Sequence, residues 1–361
     1  MAKASKSIEE KKDVMALLEE KYGKHSIVKA NSSGVIRVKE STSTGSLTLD
    51  LATGINGVPK DGKITHILGK ESSSKTTLAL HIIKEEQKKG GMCAFLDVEG
   101  TLDLDYAEHG IGVDLSMMYI VNVESLLKKK KETEIQAISG EEWLEILCDL
   151  VDTKIFGIIV LDSIAELCPM MELTAGVKSV GIAGVGRLMS RSLRTINAKL
   201  LPTNTGVIFL NQYRVNIGGY GNPYIECAGE AMKYYTALKI EITRSLDKDG
   251  DGVHGLDVKA KITKSKVGIA HKEAAYYVEF GKGIQRINEV AELAQEYKII
   301  TKAGNTYTYN EAKLGVGAEN YLQFLKDNPE LAEEIEIKVL EAINPSVVNE
   351  ADVLVETVKE Q

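Results

Sequence analysis

Proline is scarce in this chain, 6 in 361 residues, and aromatic side chains make up only 6%. With 43% hydrophobic and 27% charged residues the composition is otherwise that of an ordinary globular protein, which excludes fibrous, collagenous and disordered readings. No run approaches 18 consecutive apolar residues, so nothing is expected to span a bilayer. The opening segment MAKASKSIEEKKDVM lacks an apolar stretch of the kind a secretory signal needs, and a cytoplasmic location is expected. Only four cysteines are present, Cys93, Cys148, Cys168 and Cys227, with no CxxC or Cys/His cluster among them. That excludes a zinc motif and reads as reduced, mostly buried thiols. The net charge of −8 is unevenly placed. Glu330–Gln361 holds nine acidic residues against two basic, leaving 43 acidic and 42 basic on the remainder. A nearly neutral body is therefore compatible with a local basic groove.

What is present reads as a two- or three-domain α/β chain of 39.4 kDa. Val14, Leu17, Leu18 and Tyr22 recur at helical spacing and Gly23 stops that helix. A polar linker follows, with one short strand expected around Val35–Val38. From about Ser46, apolar runs alternate with helical segments. Lys63–Leu68 leads into a glycine-led loop and a helix from Lys75 to about Lys88. Met92–Leu96 ends in Asp97 and Glu99, Ile155–Leu161 ends in Asp162, and Thr205–Leu210 ends in Asn211 and Gln212. Such continuous, β-branched runs mark strands covered on both faces, hence a largely parallel sheet. Chemistry gathers at the carboxyl ends of those strands, where the polar residues lie. Residues 236–263 alternate on either side of Asp247–Gly252 and predict a hairpin. That turn begins like a calcium loop, but Val258 stands where a bidentate Glu is needed, so calcium is not expected.

Gly69-Lys70-Glu71-Ser72-Ser73-Ser74-Lys75-Thr76 lies between strand and helix, as a phosphate-binding loop must. Successive backbone N–H groups and the helix N-terminus would wrap a phosphate, Lys75 would neutralise it, and Thr76 would offer a hydroxyl to Mg²⁺. Ser74 departs from the pattern, standing where the motif has its second glycine. A side chain forced to positive φ costs about 1–2 kcal/mol, tolerable but able to distort the loop. Asp162 is the expected metal-orienting carboxylate. Glu99 is placed to activate water, and the Gln212 amide to sense a γ-phosphate.

Several further motifs occur in one order: Ser43-Thr44-Gly45-Ser46-Leu47, Cys93–Glu99 with Leu102-Asp103, Leu161-Asp162-Ser163, Asn211–Arg214, Gly221-Asn222-Pro223 and Leu325–Glu330. Together with the phosphate loop they resemble the bacterial RecA recombinase family from about residue 10 to about 340. The resemblance implies an α/β fold with a RecA-like P-loop ATPase core, a largely parallel twisted central sheet, a short N-terminal helical segment and a small α+β C-terminal domain. The implied divisions are an N-terminal polymerisation helix and linker (1–35), an ATPase core (36–281), a C-terminal domain (282–340) and an acidic tail (341–361). It further implies an ATP- and Mg²⁺-dependent recombinase that polymerises with copies of itself on single-stranded DNA and exchanges strands with homologous duplex. Repressor and mediator proteins are further candidate partners.

By position, the resemblance assigns nucleotide contacts to Gly69, Glu71, Ser72, Ser73, Ser74, Lys75, Thr76 and Thr77. Catalysis falls to Glu99, Lys75 and Gln212, and the metal to Thr76 and, through water, Asp162. Asp103 and Tyr106 would lie near the adenine, with Phe280 from the neighbouring subunit. Lys264 and Lys266 would reach across the subunit interface to the γ-phosphate. Two glycine-containing, otherwise structureless segments, about 172–186 and 213–226, match the DNA-binding loops. Arg187, Arg194 and Arg214 supply charge there, and Ile182 and Ile217 apolar wedges between bases. The chain departs from the family at Ser74, at Asn216 in a shortened second loop, and in a lysine-rich insertion that includes Lys128–Lys131. The acidic tail is expected to be solvated and to compete with duplex DNA for basic surface.

Overall fold

The computed structural model describes residues 14–28, 40–131, 135–175, 184–215, 224–249 and 252–343. The chain divides into two units, residues 1–39 and 40–361. In the first, residues 14–22 form helix α1, with Val14, Leu17 and Tyr22 exposed. Gly23 takes φ 99° and its N–H closes the helix on the Glu19 carbonyl at 2.8 Å, as the sequence predicts. The strand expected around Val35–Val38 lies outside the described residues.

The second unit is organised by a ten-stranded sheet. A two-residue ladder of β1 (Ser41–Thr42) with β2 (Val58–Pro59) brackets helix α2 (Leu47–Thr53) and precedes it. Then β3 (Lys63–Gly69), α3 (Lys75–Lys88), β4 (Met92–Asp97), β5 (Met118–Ile120), α4 (Val123–Lys128), α5 (Gly140–Thr153), β6 (Phe156–Asp162), α6 (Met170–Ala175), α7 (Gly184–Leu200) and β7 (Gly206–Val215) follow in turn. After β7 come β8 (Tyr224–Glu226), α8 (Ala231–Tyr235), β9 (Leu238–Asp249), β10 (Gly252–Ser265), β11 (Glu273–Glu279) and β12 (Gly283–Ile284). The order across the sheet is β12-β11-β10-β9-β3-β7-β6-β4-β5, with β8 added on β7. The ladders from β9 to β5 are parallel, and those from β9 outward to β12 are antiparallel.

Register explains why the strand ends matter. Gly69 of β3 pairs with Gln212 of β7, and Asp97 of β4 with Asp162 of β6. Four consecutive parallel strands thus deliver a phosphate loop, a carboxamide and two carboxylates to one edge. The faces above and below are packed separately. Helix α3 covers one face with Leu78, Ile82 and Ile83. Helices α5 and α7 cover the other, where Leu188, Leu193, Ile196 and Leu200 form a single apolar stripe at helical spacing. Each fully buried Leu or Ile there contributes roughly 1.5–3 kcal/mol of burial. The N-terminus of α5 carries a reciprocal cap between Ser139 and Glu142.

The C-terminal domain follows: α9 (Arg286–Glu296), a three-stranded antiparallel sheet of β13 (Thr301–Ala303), β14 (Thr306–Tyr309) and β15 (Ala312–Val316), then α10 (Ala318–Asp327) and α11 (Pro329–Ile343). The stacked rings of Tyr307 and Tyr321, 4.5 Å apart, lie in its core, which also takes in Leu47 of α2. Arg286 ties the same elements by charge, donating to Asp50 of α2 and to Glu336 of α11. Strand β12 still pairs with β11, so the central sheet reaches Ile284, slightly past residue 281. Helix α11 runs to Ile343, and the acidic tail beyond it lies outside the described residues. Among the described residues, no helix is long and apolar enough to cross a membrane.

Candidate active site

The phosphate loop begins where β3 ends. Gly69 is required by space: a Cβ there would meet Ser73 Oγ at 2.4 Å and the Ile242 carbonyl at 3.0 Å. Ser73 Oγ donates to the Lys70 carbonyl at 2.7 Å and closes the turn. Ser74 then takes φ 66°, ψ 24°, the left-handed conformation that the motif's glycine normally supplies, and caps α3. The loop therefore keeps the turn in spite of the substitution, and Ser74 carries the backbone strain.

Lys75 is buried, and its ammonium donates to the Lys70 carbonyl at 2.8 Å. Burial lowers its pKa, while Asp162, Glu99 and Glu71 oppose the shift. Thr76 Oγ1 donates to Asp162 Oδ2 at 2.6 Å. Burial raises the Asp162 carboxyl to about 6; the Thr76 hydrogen bond opposes that, and the Glu99 charge adds to it. A hydroxyl beside a carboxylate is a hard oxygen pair of the kind that holds Mg²⁺ against nucleotide phosphates. Among the described residues no cluster of three or more His, Cys, Asp or Glu could hold a metal.

Glu99 sits just past β4. Asp97 Oδ1 accepts from the backbone N–H groups of Gly100 and Thr101, and Oδ2 from that of Leu102, which fixes the turn. One carboxylate oxygen of Glu99, Oε1, accepts from Ser163 Oγ at 2.6 Å and from Gln212 Nε2 at 2.7 Å. Behind Gln212, Asn211 is fully buried and donates to His66 Nε2 at 3.1 Å and to the Cys227 carbonyl at 2.9 Å. Burial, then the Lys239 charge, lowers His66 to about 3, so its ring is neutral and Nε2 accepts.

These groups line a cleft of about 470 Å³. Glu71, the serines 72–74, Lys75, Thr76, Thr77, Glu99, Asp162 and Gln212 form its polar wall. Its other wall comprises Tyr106, Leu256, Val278 and Phe280. Gly110 lets Tyr106 approach: a Cβ there would meet the Tyr106 ring at 2.5 Å and the Gly281 carbonyl at 2.7 Å.

The RecA N-terminal domain family matches residues 9–285 and the RecA C-terminal domain family residues 288–344. The chain belongs to the RecA family. It is 40% identical over 329 residues to Protein RecA of Rickettsia bellii (strain OSU 85-389), covering 91% of each chain. Against Protein RecA of Paracoccus denitrificans it is 38% identical, covering 90% of this chain and 87% of that one. Protein RecA of Aquifex pyrophilus is 38% identical, covering 94% and 95% respectively. A crystal structure of the RadB recombinase, at 21% identity and a TM-score of 0.48 over 67% of this chain and 98% of its own, is too distant to bear on the site.

Set against that RecA expectation, the phosphate loop, Tyr106, Glu99, Asp162 and Gln212 come together, and Asp103 does not line the cleft. Its carboxylate instead accepts from the Tyr106 backbone N–H at 3.0 Å and fixes the turn that carries the ring. Phe280, expected from a neighbouring copy, lines the cleft of its own chain. The end of β11 lies beside the phosphate loop, and Gly281 at φ 77° turns the chain away only afterwards. Lys264 and Lys266 stay outside the cleft, their ammonium groups resting on the carbonyls of Lys233 and Tyr234 in α8.

Arg187 and Arg194 are exposed on α7, and Arg214 donates to the Ala165 carbonyl at 2.6 Å. Ile182 and Ile217 lie outside the described residues. Neither expected loop is structureless at its base. The first is flanked by α6 and α7. The second rises from a ladder pairing Tyr213 with Glu226, Arg214 with Ile225 and Val215 with Tyr224. Sequence reasoning missed Ser163 as the hydroxyl partner of Glu99; its place directly after Asp162 at a strand end was the available signal. It also missed Leu256 and Val278, which come from antiparallel strands with no motif of their own.

Proposed function

We propose that this chain hydrolyses ATP in the cleft and uses the nucleotide state to assemble head-to-tail on single-stranded DNA, pair that strand with homologous duplex and exchange strands in recombinational repair. The observation that carries this reading is the shared oxygen of Glu99. Gln212, which grips it, ends the parallel part of β7 and is followed directly by the second loop segment. Membership of the RecA family, whose named relatives match over some nine-tenths of the chain, supports the same assignment.

In the reaction, Glu99 takes a proton from water as the water oxygen bonds to the γ-phosphorus. The bond from that phosphorus to the oxygen bridging to the β-phosphate breaks, giving ADP and phosphate. Lys75 and the loop N–H groups hold the phosphates in line, and positioning with charge stabilisation does most of the work in such transfers. Thr76 and, through water, Asp162 would hold Mg²⁺, which would supply neutralising charge to the phosphates. Tyr106 and Phe280 offer faces for the base, and Asp103 holds Tyr106 in place. Lys264 and Lys266 of a neighbouring copy would complete the charge around the γ-phosphate, so that assembly licenses hydrolysis. Arg187, Arg194 and Arg214, with Ile182 and Ile217, would contact single-stranded DNA.

The left-handed backbone of Ser74 favours this hydrolytic reading over a filament that binds ATP and turns it over weakly. Steady-state ATPase with and without single-stranded DNA tests it. Turnover is expected to depend on the DNA, and DNA-independent turnover by a monomer would refute it. The acidic tail is proposed to restrain duplex uptake, so truncation near residue 340 should strengthen duplex binding; unchanged binding would leave the tail a solubilising appendage.

A further inference from the structure

Lys70 of the phosphate loop sends its side chain out of the cleft to the base of the second loop. Its ammonium lies 4.3 Å from the ring centroid of Tyr224 and donates to the Tyr224 hydroxyl at 3.2 Å. Tyr224 opens β8, pairs with Val215 in the ladder at the loop's root, and packs its ring 6.2 Å from that of Tyr213. The Lys70 carbonyl meanwhile accepts from Lys75 Nζ and from Ser73 Oγ. One residue thus holds the phosphate-binding cation with its backbone and the root of the second loop with its side chain.

We propose that the Lys70–Tyr224 contact is a nucleotide-to-DNA coupling element of this chain. It runs beside the Gln212–Glu99 hydrogen bond and does not pass through it. The inference rests on the nucleotide and DNA roles proposed above. A phosphate in the loop draws Lys75 Nζ away from the Lys70 carbonyl and relaxes the turn that Lys70 closes. That shift alters how Lys70 holds Tyr224, and with it the ladder of Tyr213–Val215 on Tyr224–Glu226 at the root of the second loop. Reciprocity requires that DNA bound there changes nucleotide affinity by the same factor.

The test is equilibrium binding. A fluorescent, slowly hydrolysed ATP analogue is titrated against the full chain with and without a single-stranded oligonucleotide, and the ratio of the two affinities is the coupling factor. In Tyr224→Leu the factor is expected to fall about two- to fivefold, the change an exposed cation–π contact supports. Tyr224→Phe, which keeps the ring face, should retain most of it. Lys70→Met should reproduce the loss, and the double substitution should add nothing further. An unchanged factor in both Tyr224→Leu and Lys70→Met overturns the proposal. So does a loss in Tyr224→Leu that Lys70→Met fails to reproduce, which would assign the effect to the fold of the hairpin. If the unsubstituted chain shows no coupling between ATP and DNA, the proposed function itself fails, and that outcome is distinct from the other two.

Discussion

Gln212 Nε2 donates to Oε1 of Glu99 across 2.7 Å, and the same oxygen accepts from Ser163 at 2.6 Å. A carboxylate oxygen held by two donors is fixed in direction. Glu99→Gln preserves the shape and the acceptor but removes the base. Turnover should fall by about 10²- to 10⁴-fold, the usual contribution of a positioned general base, while ATP-analogue binding persists. Loss of nucleotide binding as well would make Glu99 structural.

Gln212→Ala leaves the Ser163 bond to Glu99 in place and removes the link to β7. Basal turnover should survive better than DNA-stimulated turnover, so the ratio of the two collapses toward one. Equal loss of both rates would show that Gln212 serves only to orient Glu99.

Ser74→Gly relieves a left-handed serine, and because the loop already has the turn that glycine would give, chemistry should change little. Turnover is expected to stay within about tenfold, or 1.4 kcal/mol of barrier. A larger increase would mean that the serine side chain obstructs the phosphates.

Glu289 is a buried carboxyl of α9 whose Oε2 accepts from Ser46 Oγ, the Thr48 backbone N–H and Thr48 Oγ1. Among the described residues its Oε1 finds no hydrogen-bond partner. Burial raises its pKa to about 7, against the Thr48 and Ser46 hydrogen bonds and the Arg286 charge. Asp50 of α2 and Glu336 of α11 share that arginine, and the Tyr276 phenol of β11 feels the Glu289 charge. The folded state therefore holds the proton more tightly than the unfolded chain. That stabilisation is complete below the ordinary carboxyl pKa and is lost as pH rises through about 7, by up to about 3 kcal/mol. Thermal unfolding of Glu289→Gln should show a flatter pH profile and a higher Tm at pH 8 than the unsubstituted chain. An unchanged profile would place the ionisation elsewhere.

Much of the polar wall was legible because its signals are local: a loop between strand and helix, and polar residues ending apolar runs that a parallel sheet aligns. Of the apolar wall, Tyr106 and Phe280 came only with the family resemblance, whereas Leu256 and Val278 come from antiparallel strands distant in sequence. The ladder under the second loop was missed because Tyr224-Ile225-Glu226 is too short for a strand period to register. The Lys70–Tyr224 contact has no sequence signature at all.

The central claim, a triphosphate site finished by a neighbouring copy, is tested most directly by mixing two inactive variants. Lys75→Ala removes the cation of the cleft and keeps the two interface lysines, while Lys264→Ala with Lys266→Ala does the reverse. Each alone should show little DNA-dependent ATPase. An equimolar mixture on single-stranded DNA should recover about a quarter of normal turnover, the share of head-to-tail contacts joining an intact cleft to intact lysines. A mixture no more active than its separate components would contradict the account.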